Sequence, residues 1–324
     1  MFKVLLTREI PGPAMERLKG EVDLDCVPEG TKLTKKDLMA RIKDKDGFIS
    51  MLDNPIDGEV LNAATNLKVI SNYAVGFNNI DVKTATSKGI VVTNTPGVLT
   101  NATADLAWAL MMSTSRRILE GDKYLRAGKF DGWAPKLMLG YDFTGKTLGI
   151  IGMGRIGSAV AKRASGFEMH VIYHNRHRLS EQEEKDLGVE YVSLDDIITK
   201  SDFISIHAPL TDETRHMLGE KQFKSMKKNC ILVNAARGPI IDESALVKAL
   251  KEGWIAGAGL DVYEDEPKVT EELLSMDNVV LEPHIGSATY ETRAKMSDMV
   301  VDDCLAVLKG NKPANIVNSE VYGK

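Results

Sequence analysis

The sequence predicts an α/β fold of two doubly wound parallel-sheet units, and three observations carry that prediction. Short runs of branched apolar residues alternate with helical patterns along the chain, as strands and crossover helices alternate in a parallel sheet. Residues 147–176, TLGIIGMGRIGSAVAKRASGFEMHVIYHNR, read in one unbroken pass as strand, glycine turn, helix and second strand. A length of 324 residues is that of about two domains.

Taken in order, residues 2–7, 22–27, 47–51, 67–72 and 90–94 read as strands, and the stretches after Pro13 and at 35–45, 59–64 and 81–88 as helices. This first unit has no phosphate-binding glycine motif. Its polar turns, Leu52-Asp53-Asn54 and Tyr73-Ala74-Val75-Gly76, fall at strand C-terminal ends, where open α/β sheets bind ligands. Pro96-Gly97 marks a boundary, and Thr100 or Asn101 can cap the long apolar helix beyond it. Residues 129–144, with Trp133, Pro135 and Tyr141, are too long for a tight connection. Trp133 is either an anchor within its own subunit or a contact at a partner's site.

In the second unit the strands fall at 147–151, 169–174, 202–207, 230–234, 259–263 and 279–282. Helices are expected at 181–187, 194–199 and 243–251, the last closed by Gly253. A final amphipathic helix at 291–309 is expected to cross back onto the first unit. The resulting division is a discontinuous domain of residues 1–99 plus 287–324 and an inserted dinucleotide-binding domain of residues 100–286, with the active site expected in the cleft between them.

The glycines of Gly152-Met153-Gly154-Arg155-Ile156-Gly157 have separate tasks in such a motif. Gly152 permits the tight turn out of the strand, Gly154 lets the backbone approach a pyrophosphate, and Gly157 lets the helix pack close to the sheet. The phosphates then meet the N-terminus of the helix begun by Arg155 and Ile156, where unpaired N–H groups and the helix dipole favour an anion. With a strand on either side at the right distance, this is a Rossmann-like unit. An NAD-specific site would carry a carboxylate at the end of the second strand for the ribose hydroxyls. Here Asn175 stands there, followed by Arg176, His177 and Arg178. Donors and positive charge suit a 2′-phosphate, so NADP(H) is the preferred cofactor and NAD(H) a possible one, with Arg176 the main contact and Arg178 the second. No carboxylate or cysteine cluster accompanies the histidines, so no metal is expected.

Composition narrows the classes. The apolar and charged fractions, 43% and 27%, are those of an ordinary globular chain, and the net charge of −5 recommends neither nucleic acid nor an anionic membrane as a partner. The start has too short an apolar run for a signal peptide, and no stretch reaches the length of a membrane span. Cys26, Cys230 and Cys304 are few, scattered and odd in number, which fits reduced thiols in the cytoplasm.

Three polar residues fall just beyond strand ends of the second unit: Arg237 in NAARGP, Glu266 in DEP and His284 in EPHIG. Each alone has an ordinary structural explanation. Together they supply what reduction of a 2-keto acid needs: a cation for the carboxylate, an acid for the carbonyl oxygen, and a carboxylate to hold that acid protonated.

These segments resemble the D-2-hydroxyacid dehydrogenase family across nearly the whole chain. GMGRIG, NAARG, GLDVYEDEP and EPHIGSAT stand in the family's order and spacing, and NYAVGFNNID at 72–81 resembles its substrate-side loop. Within the family the chain is most similar to glyoxylate/hydroxypyruvate reductases, through Gly286-Ser287-Ala288-Thr289, Gly97-Val98-Leu99-Thr100 and residues 133–140. The resemblance implies that Arg237 binds the substrate carboxylate, His284 donates the proton and Glu266 pairs with His284. It implies that backbone N–H groups of Val75 and Gly76 hold the carboxylate and that Leu52 and Leu99 line a small pocket. Thr103, Pro209, Ala235 and Asp261, with Arg237 and His284, then surround the cofactor, Asp261 at the nicotinamide carboxamide. It further implies a homodimer joined through the cofactor domains.

Two other readings stay open. One keeps the chemistry but takes 2-ketogluconate or another larger 2-keto acid, since a methylene is worth only about 1–3 kcal/mol of discrimination. The other is a nucleotide-sensing module like the C-terminal-binding-protein corepressors, which resemble the family and keep its triad.

Overall fold

The computed structural model describes residues 1–323, and among them every strand pair in two sheets is parallel. The chain divides into two compact units, one of Met1–Leu99 with Ser287–Lys324, the other of Thr100–Gly286.

In the first unit β1 (Lys3–Leu6), β2 (Asp23–Cys26), β3 (Gly47–Ser50), β4 (Val69–Asn72) and β5 (Val91–Thr93) lie in the order β2-β1-β3-β4-β5. Strands β3 and β4 are buried throughout, as a parallel strand covered on both faces requires. The helix Tyr290–Leu308 packs on this sheet, capped by Thr289, whose side chain accepts from Thr292 N. Its buried stripe, Met296, Val300, Val301, Cys304 and Leu308, meets Val4, Leu6, Ile49 and Val69. Asn318 ties the C-terminal segment to the edge strand by accepting from Val92 N and donating to the Ile90 carbonyl.

In the second unit β6 (Thr147–Ile151), β7 (His170–His174), β8 (Val189–Tyr191), β9 (Phe203–Ile206), β10 (Ile231–Asn234), β11 (Gly257–Leu260) and β12 (Val279–Leu281) lie in the order β12-β11-β10-β9-β6-β7-β8. The strand order reverses at β6, which pairs with β7 on one side and β9 on the other. Ligands of open α/β sheets bind outside the carboxyl ends of strands at such a point, and Gly152 follows β6 directly.

The sequence reading differs from the structure in several places. The strand expected at 259–263 runs instead at Gly257–Leu260. Its glycines look unlike a strand until their packing is considered. A Cβ on Gly257 would lie 2.8 Å from Thr114 Cγ2, and one on Gly259 2.9 Å from Leu110 Cβ, so the bare backbone is what lets the helix Thr100–Ser115 lie close. Neither expected cap operates on that helix. It begins at Thr100 itself, and Asn101 Oδ1 accepts from Arg163. The short strand β8 and the helices Ile118–Arg126, Glu220–Ser225 and Glu271–Leu274 were not among the expected elements. None of the described helices is long and apolar enough to cross a membrane.

Candidate active site

The glycine turn after β6 can be tested for its fit to a dinucleotide. Gly152 has φ 99°, and a Cβ there would lie 2.4 Å from Ala208 N. One on Gly157 would lie 2.2 Å from the Gly152 carbonyl oxygen, so helix and turn touch through bare backbone. Gly154 is different: nothing lies within 4 Å of a Cβ position there, and it caps the helix Arg155–Ala164. Two glycines that cannot carry a side chain and a third beside open space at a helix N-terminus fit a pyrophosphate cradle.

The basic cluster beyond β7 separates into anchored and available residues. Asn175 Oδ1 accepts from Met153 N at 2.6 Å, which couples the cluster to the glycine turn. His174 Nδ1 meets the Val192 carbonyl at 3.0 Å. Arg178, expected as a second phosphate contact, grips Glu184 with two bonds of 2.8 and 2.7 Å, and Glu184 also accepts from Tyr173 Oη at 2.6 Å. Those bonds hold Glu184 down to about pKa 2, and burial together with Glu184 pushes the Tyr173 phenol up to about 12. Arg178 is therefore a strut of the loop. Arg176 is exposed and makes no hydrogen bond or ion pair among the described residues; Glu213 feels its charge.

Catalytic candidates come from three strand ends. Asn234, fully buried at the end of β10, donates to the Arg237 carbonyl (2.9 Å) and accepts from Ala236 N (3.0 Å), which shapes the turn that presents Arg237. Arg237 Nη1 donates to the Ala236 carbonyl, and burial draws the guanidinium pKa down against the opposing pull of Glu266. Beyond β11, Glu266 Oε1 accepts from Tyr263 N at 3.0 Å and Oε2 lies 2.9 Å from His284 Nδ1. Burial would raise the Glu266 pKa, but His284, the Tyr263 N–H and Arg237 together bring it below the ordinary value.

His284 itself sits at φ 55°, a left-handed backbone that few side-chain-bearing residues adopt. Asp261 fixes the segment that follows it by accepting from Ile285 N (2.6 Å) and Gly286 N (2.8 Å), and Tyr263 Oη donates to the Glu282 carbonyl before it. Both Asp261 oxygens are thus engaged with backbone, and burial pushes its pKa up to about 6. Thr103 is buried beside this segment: a Cβ on Gly286 would meet its Cγ2 at 3.3 Å. Pro209 carries a carbonyl that accepts from Thr214, and half-buried Ala235 follows β10. Sequence reasoning missed Asn234 and Tyr263, whose roles lie in hydrogen bonds across turns that leave no pattern along the chain.

In the first unit, the carbonyls of Val75 and Gly76 accept from Asn94 Nδ2 (2.7 Å) and Asn72 Nδ2 (2.8 Å). Their N–H groups have no acceptor among the described residues. Leu52 and Leu99 are half-buried.

His207, just after β9, gives a pH prediction. Its Nε2 meets Ser205 Oγ at 2.8 Å, its Nδ1 is buried with no hydrogen-bond partner among the described residues, and burial pulls the pKa down from 6.5 to about 4. Above pH 6.5 both folded and unfolded chains hold it neutral. As pH falls from there toward 4, the unfolded chain gains a proton that the folded one refuses, so stability drops by on the order of 3 kcal/mol. Urea unfolding at pH 7, 5.5 and 4 should show the parent losing that much more than His207→Gln. A constant difference between the two would contradict the assignment.

Residues 108–286 match the family described as D-isomer specific 2-hydroxyacid dehydrogenase, NAD binding domain. The chain is 52% identical over 321 residues to a glyoxylate reductase of Korarchaeum cryptofilum, covering 98% of this chain and 96% of that one. Among solved structures it is similar to the TT0316 protein of Thermus thermophilus, with TM-score 0.91, 44% identity and coverage of 97% and 99%. It is also similar to an NADPH-dependent glyoxylate/hydroxypyruvate reductase of Sinorhizobium meliloti in complex with NADP and malonate, with TM-score 0.86, 33% identity and coverage of 98% and 97%. On the strength of these matches and of its glycine turn and His–Glu pair, the chain belongs to the D-isomer specific 2-hydroxyacid dehydrogenases, oxidoreductases built on a nicotinamide-dinucleotide-binding domain.

Proposed function

We propose that the protein reduces glyoxylate and hydroxypyruvate to glycolate and D-glycerate, with NADPH as the preferred cofactor. The observation that carries this reading is the 2.9 Å contact of His284 Nδ1 with Glu266, in reach of the charge of half-buried Arg237 and in a unit whose glycine turn fits a dinucleotide. Gly152, Gly154, Arg155, Ile156 and Gly157 would hold the pyrophosphate, and the bound nicotinamide would supply the hydride for the carbonyl carbon. Arg237 binds and orients the substrate carboxylate through its two-pronged donor geometry. The N–H groups of Val75 and Gly76, which have no acceptor among the described residues, are further donors for an anionic substrate. With Nδ1 given to Glu266, His284 has Nε2 left to donate to the developing alkoxide, and the ionised Glu266 stabilises the imidazolium that does so.

The preference for NADPH rests on Arg176, exposed and uncommitted among the described residues, next to Asn175 where a ribose-binding carboxylate would stand. Charge-assisted bonds of this kind are worth about 1.5–3 kcal/mol, so Arg176→Ala should raise the KM for NADPH about tenfold to a hundredfold and leave that for NADH nearly unchanged. An equal loss with both cofactors would remove Arg176 from the 2′-phosphate.

A homodimer through the cofactor-binding unit is part of the same reading. The helix Ile118–Arg126 buries no side chain, and Leu125 (61% exposed), Phe130 (54%), Trp133 (85%) and Leu139 (64%), in that helix and the segment after it, are large apolar side chains that a lone subunit would leave in water. The three thiols, none in a disulfide, fit a reducing compartment such as the cytoplasm. The reaction is tested by the product from hydroxypyruvate: D-glycerate by chiral chromatography supports the reading, and L-glycerate or no product overturns it.

A further inference from the structure

The turn that carries Arg237 and the loop that carries Glu266 touch through backbone. A Cβ on Gly238 would lie 1.9 Å from both the carbonyl carbon and oxygen of Tyr263 and 2.5 Å from Glu264 N. At this junction stands a second histidine–carboxylate pair, outside the site described so far. Glu264 accepts from His216 Nε2 at 2.5 Å and from Glu243 N at 3.1 Å. Glu243 in return accepts from Glu264 N (2.9 Å) and from Thr270 N (3.2 Å), so its carboxylate spans the near and far sides of the Glu266 loop. His216 N donates to the Pro239 carbonyl at 2.8 Å, two residues after Arg237, and Leu218 N donates to Ile240 O at 3.2 Å. The circuit is closed: Arg237 turn, His216, Glu264, and back through Gly238.

Stability alone gives little reason for such a pair. His216 is 44% exposed at its side chain, and exposed ion pairs contribute little to folding. His216 is nonetheless held at φ 52°, a backbone region sparsely used by residues with a side chain. Its position makes geometric sense instead, because the carboxylate it grips lies two residues before Glu266 and the carbonyl it hangs from lies two residues after Arg237.

We propose that His216 and Glu264 are positioning residues for the reduction. Their contact clamps the Glu266 loop to the Arg237 turn, and so fixes the guanidinium that orients the substrate carboxylate relative to the His284–Glu266 pair that delivers the proton. This rests on the roles given to Arg237, Glu266 and His284 above. A displacement of about an ångström at reacting groups can cost about a hundredfold in rate, so a clamp some residues away can act strongly without touching substrate.

The test compares the parent with His216→Ala and His216→Gln, reading kcat and KM for glyoxylate and for NADPH separately, together with the thermal midpoint. The alanine variant is expected to lose about tenfold or more in kcat/KM for glyoxylate, with the KM for NADPH within about twofold of the parent. Glutamine, whose amide can still donate to Glu264, is expected to return most of that loss. An alanine variant as active as the parent would overturn the clamp. So would a loss that glutamine does not restore, or one that falls equally on NADPH, since those mark general loosening. Absence of 2-keto acid turnover in the parent itself would bring down the proposed function and the clamp with it, whereas an active parent with an unaffected variant brings down the clamp alone.

Discussion

His284→Ala is expected to lower kcat for glyoxylate reduction by about a hundredfold to ten-thousandfold while NADPH still binds with near-parent affinity, as read by steady-state rates and fluorescence titration. The reasoning starts from the backbone. A left-handed residue is held between two anchors, Asp261 on the Ile285 and Gly286 amides and Tyr263 on the Glu282 carbonyl. The side chain is then oriented by Glu266 at 2.9 Å. Three separate sets of bonds fix one imidazole, which is the arrangement a proton donor needs and an incidental surface histidine does not. Because reduction consumes a proton and oxidation releases one, kcat/KM for the keto acid should fall as pH rises and that for the hydroxy acid should rise. Glu266→Gln should cost less than His284→Ala, since it removes orientation and charge but leaves the donor. Parent-like turnover in His284→Ala would remove this mechanism.

Arg237→Ala is expected to reduce kcat/KM for the keto acid by about a hundredfold to a thousandfold, with cofactor affinity little changed. The guanidinium is half-buried and depends on a turn shaped by the buried amide of Asn234. Burial makes the bond to a carboxylate stronger than it would be in water and makes the empty site costlier. Arg237→Lys keeps the charge but loses the planar fork, so a lysine variant should recover only part of the loss, chiefly in KM. Full recovery by lysine would show that charge alone suffices and that no two-point contact exists.

Much of this was legible in the sequence for physical reasons. Gly152 and Gly157 announce themselves because sterics forbid any other residue there, and parallel strands such as β6 and β10 announce themselves as apolar runs because both faces are buried. Strand β11 was displaced by two residues in the reading because Gly257 and Gly259 serve a helix lying on them rather than strand propensity. Arg176 and Arg178, two residues apart, both read as phosphate contacts, the first as the main one. Only the fold shows that Glu184, itself held by Tyr173, engages the second of them. The His216–Glu264 contact joins residues 48 apart through a turn with no periodicity, so no pattern along the chain could point to it.

Initial rates with glyoxylate, hydroxypyruvate, pyruvate and 2-ketogluconate, each with NADPH and with NADH, test the central claim most directly when compared as kcat/KM. The expected result is the highest value for glyoxylate or hydroxypyruvate with NADPH, and at least about tenfold less with NADH. Tight cofactor binding without turnover of any of the four acids would contradict it, and a clear preference for 2-ketogluconate would leave the chemistry standing and refute the substrate.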